Sequence, residues 1–172
     1  MKVRTARDNY FTANGFSDAS YRDRWVKLAL GPLPLWMWNP PARQRAIALH
    51  DLHHVATDYK TTWAGEAEIG AWEIAAGCGG YSAAWFYNAF AFAFGFVVDP
   101  RRTYRAFVRG RHSGSLYTSG GWRDELLALD VDELRRELVL DRDHVATWRD
   151  RIAYLVGVPM AFVRALTSAF SR

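Results

Sequence analysis

The spacing of apolar and polar positions predicts a chain built from helices. From Ala42 to about Asp58 no helix breaker interrupts the sequence, and Pro40-Pro41 precedes this segment as prolines often precede helices. Thr62 can cap a second helix from about Ala64 to Ala76, which Gly77 ends. These two helices, joined by a short turn, form the centre of the predicted fold.

Further helices are predicted on both sides of this pair. Asp99-Pro100 provides a cap and a first-turn proline for a helix to about Arg109. Residues 122–138 are predicted to form one or two short helices, within which Asp130 can act as a cap. The other predicted helices are residues 17–30, 81–96, 143–156 and 158–172. Three segments are predicted to be non-helical: an irregular lead at 1–16, an extended connector at 32–41 and a polar loop at 110–121.

The segment from Ile74 to Val98 has no charged residue and is long enough to cross a bilayer. We expect it not to do so, because the glycines in Gly77-Cys78-Gly79-Gly80 break it near its start. In the tail, four apolar residues fall on one helical stripe, for which packing on the core is favoured over docking to a membrane or partner. These residues are Phe162, Val163, Leu166 and Phe170.

Composition supports one helical domain. The chain has 172 residues, of which 50% are hydrophobic and 15% aromatic, so disorder is excluded and large apolar surfaces or a cavity are expected. We therefore predict an all-α fold over residues 1–172, a single-domain helical bundle with an apolar, lipid-type cavity.

Charge and cysteine content limit the classes of partner and the cellular compartment that we expect. The net charge is +4, but the basic residues form no run and no nucleic-acid-binding motif accompanies them, so we expect no nucleic acid partner. An anionic membrane surface, an acidic substrate and simple solubilising charge all fit this balance. The one cysteine, Cys78, and an N-terminus without the features of a secretory signal predict a cytoplasmic location.

The candidate chemistry lies in His50-Asp51-Leu52-His53-His54. On a helix His50 and His54 are one turn apart, and Asp51 lies about 100° round from His50, where it can bind a metal or orient a histidine. Glu66 would reach them from the next helix. Imidazole and carboxylate ligands suit a divalent metal, zinc first, with iron or manganese as alternatives, whereas the ordinary alternative is a set of polar helix residues without a ligand.

Neighbouring residues are weaker candidates for the same site. His53 points about 100° away from His54, Asp58 lies one turn beyond it, and Glu73 could extend an acidic wall. We expect Glu68 to face solvent.

The pattern His50-Asp51-x-x-His54, followed by eleven residues and Glu66, resembles the metal-binding signature of the coenzyme Q biosynthesis protein 4 family. The segment YRAFVRGRHSGSLYTSGGWRDELLALDVDELRREL also resembles the second half of that family, and the resemblance spans roughly residues 40–140. The chain is shorter than eukaryotic members and continues past 140 without a counterpart, which is typical of a divergent, bacterial-type member.

The resemblance implies a metal-dependent enzyme of ubiquinone biosynthesis that is all-α and peripheral on the inner membrane. The implied reaction is oxidative decarboxylation and hydroxylation at ring carbon 1 of a polyprenylated hydroxybenzoate. His50, Asp51, His54 and Glu66 would be the metal ligands and the catalytic residues. Other quinone-biosynthesis proteins are implied partners, and a homodimer is left open.

Three alternatives are kept. The first is a non-catalytic scaffold that binds prenylated lipids for a quinone-biosynthetic complex, and the second is a related metalloenzyme acting on another isoprenoid or aromatic metabolite. An HD-type metallophosphohydrolase ranks last, because the further His and Asp of that pattern are not evident. Within the leading hypothesis, residues 81–96 would form a wall for a prenyl tail, and Arg101, Arg105 and Arg109 would form a basic ridge facing lipid headgroups or an acidic ring substituent.

Overall fold

Helices dominate the computed structural model, which describes residues 1–28, 35–140 and 144–170. The prediction of an all-α bundle is confirmed. The helices are α1 (Val3–Asn14), α2 (Pro41–Thr57), α3 (Trp63–Ala76), α4 (Ser82–Val98), α5 (Pro100–Arg111), α6 (Val131–Glu137) and α7 (Trp148–Phe170). Two strands, β1 (Trp25–Leu28) and β2 (Leu35–Trp38), pair in antiparallel register, and short 3-10 helices occupy Asp18–Tyr21 and Asp124–Ala128.

The middle of the bundle is α3, which packs most extensively on α4 and α5. Glycines permit this close packing: a Cβ added at Gly70 would lie 2.7 Å from the Cβ of Ala91, and one at Gly110 would lie 2.3 Å from the carbonyl oxygen of Trp72. The side chains of Ile69 and Trp72 are fully buried at these contacts. Small residues on α3 and α5 therefore set the spacing of the core.

The helix ends that the sequence predicts around the central pair are confirmed. The hydroxyl of Thr62 accepts a hydrogen bond from the Gly65 N–H at 3.2 Å, and Gly77 follows α3. The carboxylate of Asp99 accepts from the Arg102 N–H at 3.0 Å at the start of α5. Asp130 caps α6, and its own N–H donates to the Glu133 carboxylate at 2.7 Å. Local capping chemistry determines these boundaries.

The predictions for the N-terminal part were wrong. Residues 3–14 of the expected irregular lead form α1, which Gly15 ends with a φ of 68°. The helix expected at 17–30 is a 3-10 turn followed by β1, and residues 29–30 lie outside the described residues. Part of the expected connector is β2, since pairing with β1 satisfies its backbone groups; residues 32–34 also lie outside the described part.

The two helices expected after residue 142 are one helix, α7, and residue 143 lies outside the described residues. Pro159 lies inside it, although an internal proline costs about 3 kcal/mol in a helix. Contacts with α4 oppose this cost, since the half-buried ring of Phe162 packs against Phe90 with ring centroids 5.0 Å apart. Near its start, Asp150 accepts a hydrogen bond from Arg111 at 2.7 Å and holds α7 on the end of α5.

The outward side of α7 is apolar and exposed. Its exposed large apolar residues fall on one side of the helix: Trp148, Ile152, Leu155, Val156, Met160, Val163 and Leu166. The expected core-facing stripe is thus corrected, because Val163 and Leu166 face outward while Ala161 and Ala165 are buried; the side chain of Phe170 lies outside the description. Of the described residues, one helix, Trp148–Ala169, is long and apolar enough to cross a membrane, with 22% of its most apolar window buried.

We predict that Gly110→Ala lowers the free energy of unfolding by about 1–3 kcal/mol, because the new methyl group would overlap the backbone of α3. Urea denaturation measures this change. The control is Gly114→Ala, where an added Cβ meets nothing within 4 Å, and a change within about 0.5 kcal/mol is expected. Equal effects of the two substitutions would contradict the proposed close packing.

Candidate metal centre

The structure brings together His50, His54 and Glu66, as the sequence predicts. The histidines lie one turn apart in the second half of α2, and Glu66 lies in the first turn of α3. One ligand atom from each residue can be chosen so that all three atoms lie within 4.8 Å of one another. This group could hold a metal ion.

Hydrogen bonds to the outer nitrogens orient both imidazole rings. The Nδ1–H of His50 donates to the Glu73 carboxylate at 3.0 Å, and the Nδ1–H of His54 donates to the backbone carbonyl of Tyr59 at 2.8 Å. With Nδ1 engaged in this way, each ring turns its Nε2 toward the other. Metal-binding histidines are commonly held by such a bond from the non-ligating nitrogen to a carboxylate or carbonyl.

The distances among the inner atoms suit a shared cation. The two Nε2 atoms lie 3.2 Å apart, close to the roughly 3.3 Å that two nitrogens bound tetrahedrally to one zinc ion would have. The Glu66 carboxylate oxygens lie 3.6 Å from Nε2 of His54 and 3.8 Å from Nε2 of His50. Two lone pairs at 3.2 Å repel, so a proton or a metal ion has to lie between them. The donor set of two imidazoles and a carboxylate therefore fits a divalent metal.

Asp51, the fourth predicted ligand, does not join this group. One carboxylate oxygen accepts a hydrogen bond from the Tyr21 hydroxyl at 2.7 Å, and the other lies 3.5 Å from the Tyr10 hydroxyl. Burial raises the pKa of Asp51 to about 6, against the lowering effects of His50 and the Tyr21 hydrogen bond. Its role as a direct ligand stays a prediction.

The fully buried carboxylate of Glu73 is hydrogen-bonded to side chains of the site. Its carboxylate accepts hydrogen bonds from the Nδ1–H of His50, from His53 at 2.6 Å, from Tyr117 at 3.2 Å, and from the side-chain amide of Asn88. Nε2 of His53 accepts from the backbone N–H of Leu116 at 2.9 Å, which places the ring hydrogen on Nδ1. His53 is thus a fully buried structural residue that orients Glu73, not a further ligand in this arrangement.

The pKa values of His50 and His54 shift in opposite directions. Burial disfavours the charged form of His50, but the carboxylates of Glu73 and Glu66 outweigh it and raise the pKa of His50 well above its usual value. Burial, together with the charge on His50, lowers the pKa of His54. His54 and His50 together lower the pKa of Glu66 although burial opposes this. The carboxylates thus favour a positive charge at His50, and a metal ion would have to displace the proton that His50 holds.

A cavity of about 600 Å³ opens beside His50 and Glu66, whereas His54 lies behind its wall. His50, Asp51 and Glu66 lie in its wall. Much of the remaining lining is apolar or aromatic: Ala13, Phe16, Val26, Ala46, Ile47, Trp63, Ala67, Ala83, Ala84, Phe90, Ala91 and Phe94. The site can thus contact the polar end of a largely apolar molecule. Whether the occupant is a lipid stays a prediction.

Other candidates from the sequence lie elsewhere. Glu68, expected in solvent, is 7% exposed and paired with Arg102, whose Nη2 lies 2.6 Å from a carboxylate oxygen, because α5 packs on α3 there. Arg101 and Arg105 are exposed, and Arg109 donates to the carbonyl of Thr57 at 3.2 Å, so the basic ridge does not line the described cavity.

We predict that Glu73→Gln weakens zinc binding by about 10- to 100-fold, since the amide cannot hold the His50 ring as the carboxylate does. His54→Ala should reduce stoichiometric binding to background. Isothermal titration calorimetry with zinc measures both, and His144→Ala is the control, because His144 is exposed and stacks on His112 away from the site. Unchanged affinity in His54→Ala would rule out this metal centre.

Comparisons with known proteins identify no relative of this chain. No protein-family model, no curated protein and no solved structure matches the chain significantly. The resemblance to the coenzyme Q biosynthesis protein 4 family accordingly rests on the motif and on the similar downstream segment, and family membership stays a prediction.

Proposed function

We propose that the protein is a metal-dependent enzyme that acts on the polar head of a prenylated aromatic molecule in quinone biosynthesis. The observation that carries the proposal is the cluster of His50, His54 and Glu66, of which His50 and Glu66 lie in the wall of a mostly apolar cavity. A site of this kind fits an amphipathic substrate, with its ring oxygens at the metal centre and its tail along the apolar lining. The particular substrate class comes from the family resemblance.

Each residue has a defined part in the proposed mechanism. His50, His54 and Glu66 would hold the ion, while Glu73 and the Tyr59 carbonyl keep the two rings in position. An ion held by these residues would act as a Lewis acid and stabilise negative charge on a ring oxygen. Asp51 lines the cavity beside these ligands, where its carboxylate can exchange a proton with the head group.

The proposed reaction replaces a ring carboxyl group by hydroxyl. The bond between ring carbon 1 and the carboxyl carbon breaks, CO₂ leaves, and a new ring C–O bond forms. Water supplies the oxygen of the new hydroxyl group, and dioxygen takes up the two electrons and leaves as hydrogen peroxide, so both water and dioxygen are present in the test.

We predict that purified wild-type protein, prepared without chelator, contains bound metal and converts a prenylated hydroxybenzoate in air to the corresponding hydroquinone with release of CO₂. His54→Ala and Glu66→Gln should reduce the rate by at least about 100-fold, since the cation would be lost or misplaced. Mass spectrometry of metal and product checks both statements. Unchanged turnover in folded His54→Ala would contradict the proposal.

The second candidate is a non-catalytic scaffold that binds a prenylated lipid. The exposed apolar side of α7 favours it, since such a surface suits contact with other proteins. The same experiment separates the candidates: a scaffold binds the prenylated molecule and yields no product with or without His54.

We also propose that the protein binds a membrane surface through the exposed apolar side of α7. The helix is about 34 Å long, and its apolar residues occupy one side. Arg149, Arg151 and Arg164 are exposed on the same helix, so it can contact anionic headgroups as well as acyl chains. The net charge of +4 acts in the same direction.

We predict that wild-type protein co-floats with vesicles of phosphatidylcholine and phosphatidylglycerol and less with phosphatidylcholine alone. Leu155→Glu should weaken binding by about 10-fold or more, because a 70% exposed apolar anchor becomes an anion. Ser119→Glu is the control, since it adds the same charge at an exposed position outside α7. A dimer in sedimentation analysis without vesicle binding would instead assign this surface to a second copy.

A further inference from the structure

Arg43 is the one basic residue among the described residues that line the cavity, apart from the histidine of the metal centre. Its side chain lies in the first turn of α2 and is 9% exposed. The described part of the chain gives it one hydrogen bond, from Nη1 to the side-chain oxygen of Asn39 at 2.9 Å, and no ion pair. A guanidinium has five N–H donors, so most of its hydrogen-bonding capacity is unused.

The unused donors are not sealed inside the protein. Among the described residues, the fully enclosed polar side-chain atoms without a partner belong to Trp72, Tyr104 and His112, and none belongs to Arg43. Arg43 lines the cavity, so a ligand that fills this space lies within reach of its side chain. Burial lowers the pKa of Arg43, and the carboxylates of Asp51 and Glu66, which line the same cavity without pairing with Arg43, act in the opposite direction.

Arg43 is also held in place before any ligand binds. The amide of Asn39 donates to the backbone carbonyls of Tyr21 at 3.0 Å and Asp23 at 2.8 Å, which turns its oxygen toward Arg43. The guanidinium lies over the Tyr87 ring, 5.8 Å from its centroid. These contacts fix one edge and one face of the guanidinium and leave the other donors available, which lowers the entropic cost of binding an anion.

Position on α2 relates Arg43 to the metal centre. Arg43 and His50 are seven residues apart, so they lie on one side of the helix about 10 Å apart along its axis. Ala46 and Ile47, which also line the cavity, lie between them. Along α2, the wall of the cavity therefore has polar contact points at Arg43 and at His50, separated by an apolar stretch of the helix.

We infer that Arg43 binds an anionic oxygen group, a carboxylate or a phosphate monoester, on the molecule that occupies the cavity. A planar guanidinium suits both groups because it can donate two parallel hydrogen bonds to two oxygens. The ligand is then an amphipathic anion, whereas an uncharged lipid or quinone would leave the guanidinium without a partner. The inference rests on the proposed function only in that an amphipathic molecule enters this cavity.

The test uses matched probes and does not require turnover. Isothermal titration calorimetry measures binding of 4-heptylbenzoate, 4-heptylphenyl phosphate and 4-heptylphenol to the full chain; the three share ring and tail and differ in head-group charge. Wild type should bind at least one anion about 10-fold or more tightly than the phenol, and the tighter anion identifies the preferred group. Arg43→Gln should weaken binding of that anion by about 10- to 100-fold and leave the phenol within about 3-fold.

Arg45→Gln is the matched control, because Arg45 is exposed on the same helix and should leave all three affinities unchanged. Wild type that binds the phenol as tightly as both anions, or that binds none of the probes, would overturn the inference without any variant. Equal losses for anion and phenol in Arg43→Gln would also overturn it, since Arg43 would then act only on folding. Probe binding without metal or turnover would leave this inference intact while contradicting the enzyme proposal.

Discussion

Burial of the Glu73 carboxylate is the constraint on which the bundle and the site both depend. A charge without exposed surface is strongly unfavourable unless its oxygens are satisfied, and here the donors come from His50 and His53 on α2, Asn88 on α4, and Tyr117 in the segment after α5. The histidines offset the burial and hold the pKa of Glu73 below its usual range. Packing these three parts of the chain around Glu73 on α3 therefore also orients the His50 ring toward the cavity.

This arrangement requires that α4 and α5 pack closely against α3. Gly70 and Gly110 let α4 and α5 approach the helix closely enough to enclose the polar cluster. Ala89 and Phe92 are buried, whereas the exposed rings of Phe90 and Phe94 lie along the wall of the cavity. One side of α4 therefore packs closely in the core, while another side forms the open apolar wall of the cavity.

Local signals in the sequence predict much of the fold and the ligand-type residues, but not their supporting contacts. Caps such as Thr62 and Asp130 act within one turn, and the spacing from His54 to Glu66 crosses a single turn, so both can be read locally. The partners of Glu73 are up to 44 residues away, and no local pattern specifies them. The helix α1 was missed because its apolar positions are few and separated by charges, although Gly15 marks its end. Pairing between β1 and β2 likewise overrides the helical interpretation of residues 25–28.

The exposure of the ligand-type side chains indicates whether a bound ion would have a structural or a catalytic role. Structural zinc sites are usually closed by four protein ligands, whereas catalytic sites keep a position open. Here His54 is buried, but the side chains of Glu66 and His50 are 26% and 18% exposed, and both residues line the cavity. The carboxylate of Asp51 is engaged by tyrosine hydroxyls rather than directed at the group. If these three residues held an ion beside the open cavity, they would leave room for an oxygen of a bound molecule, which is the arrangement of catalytic rather than structural sites.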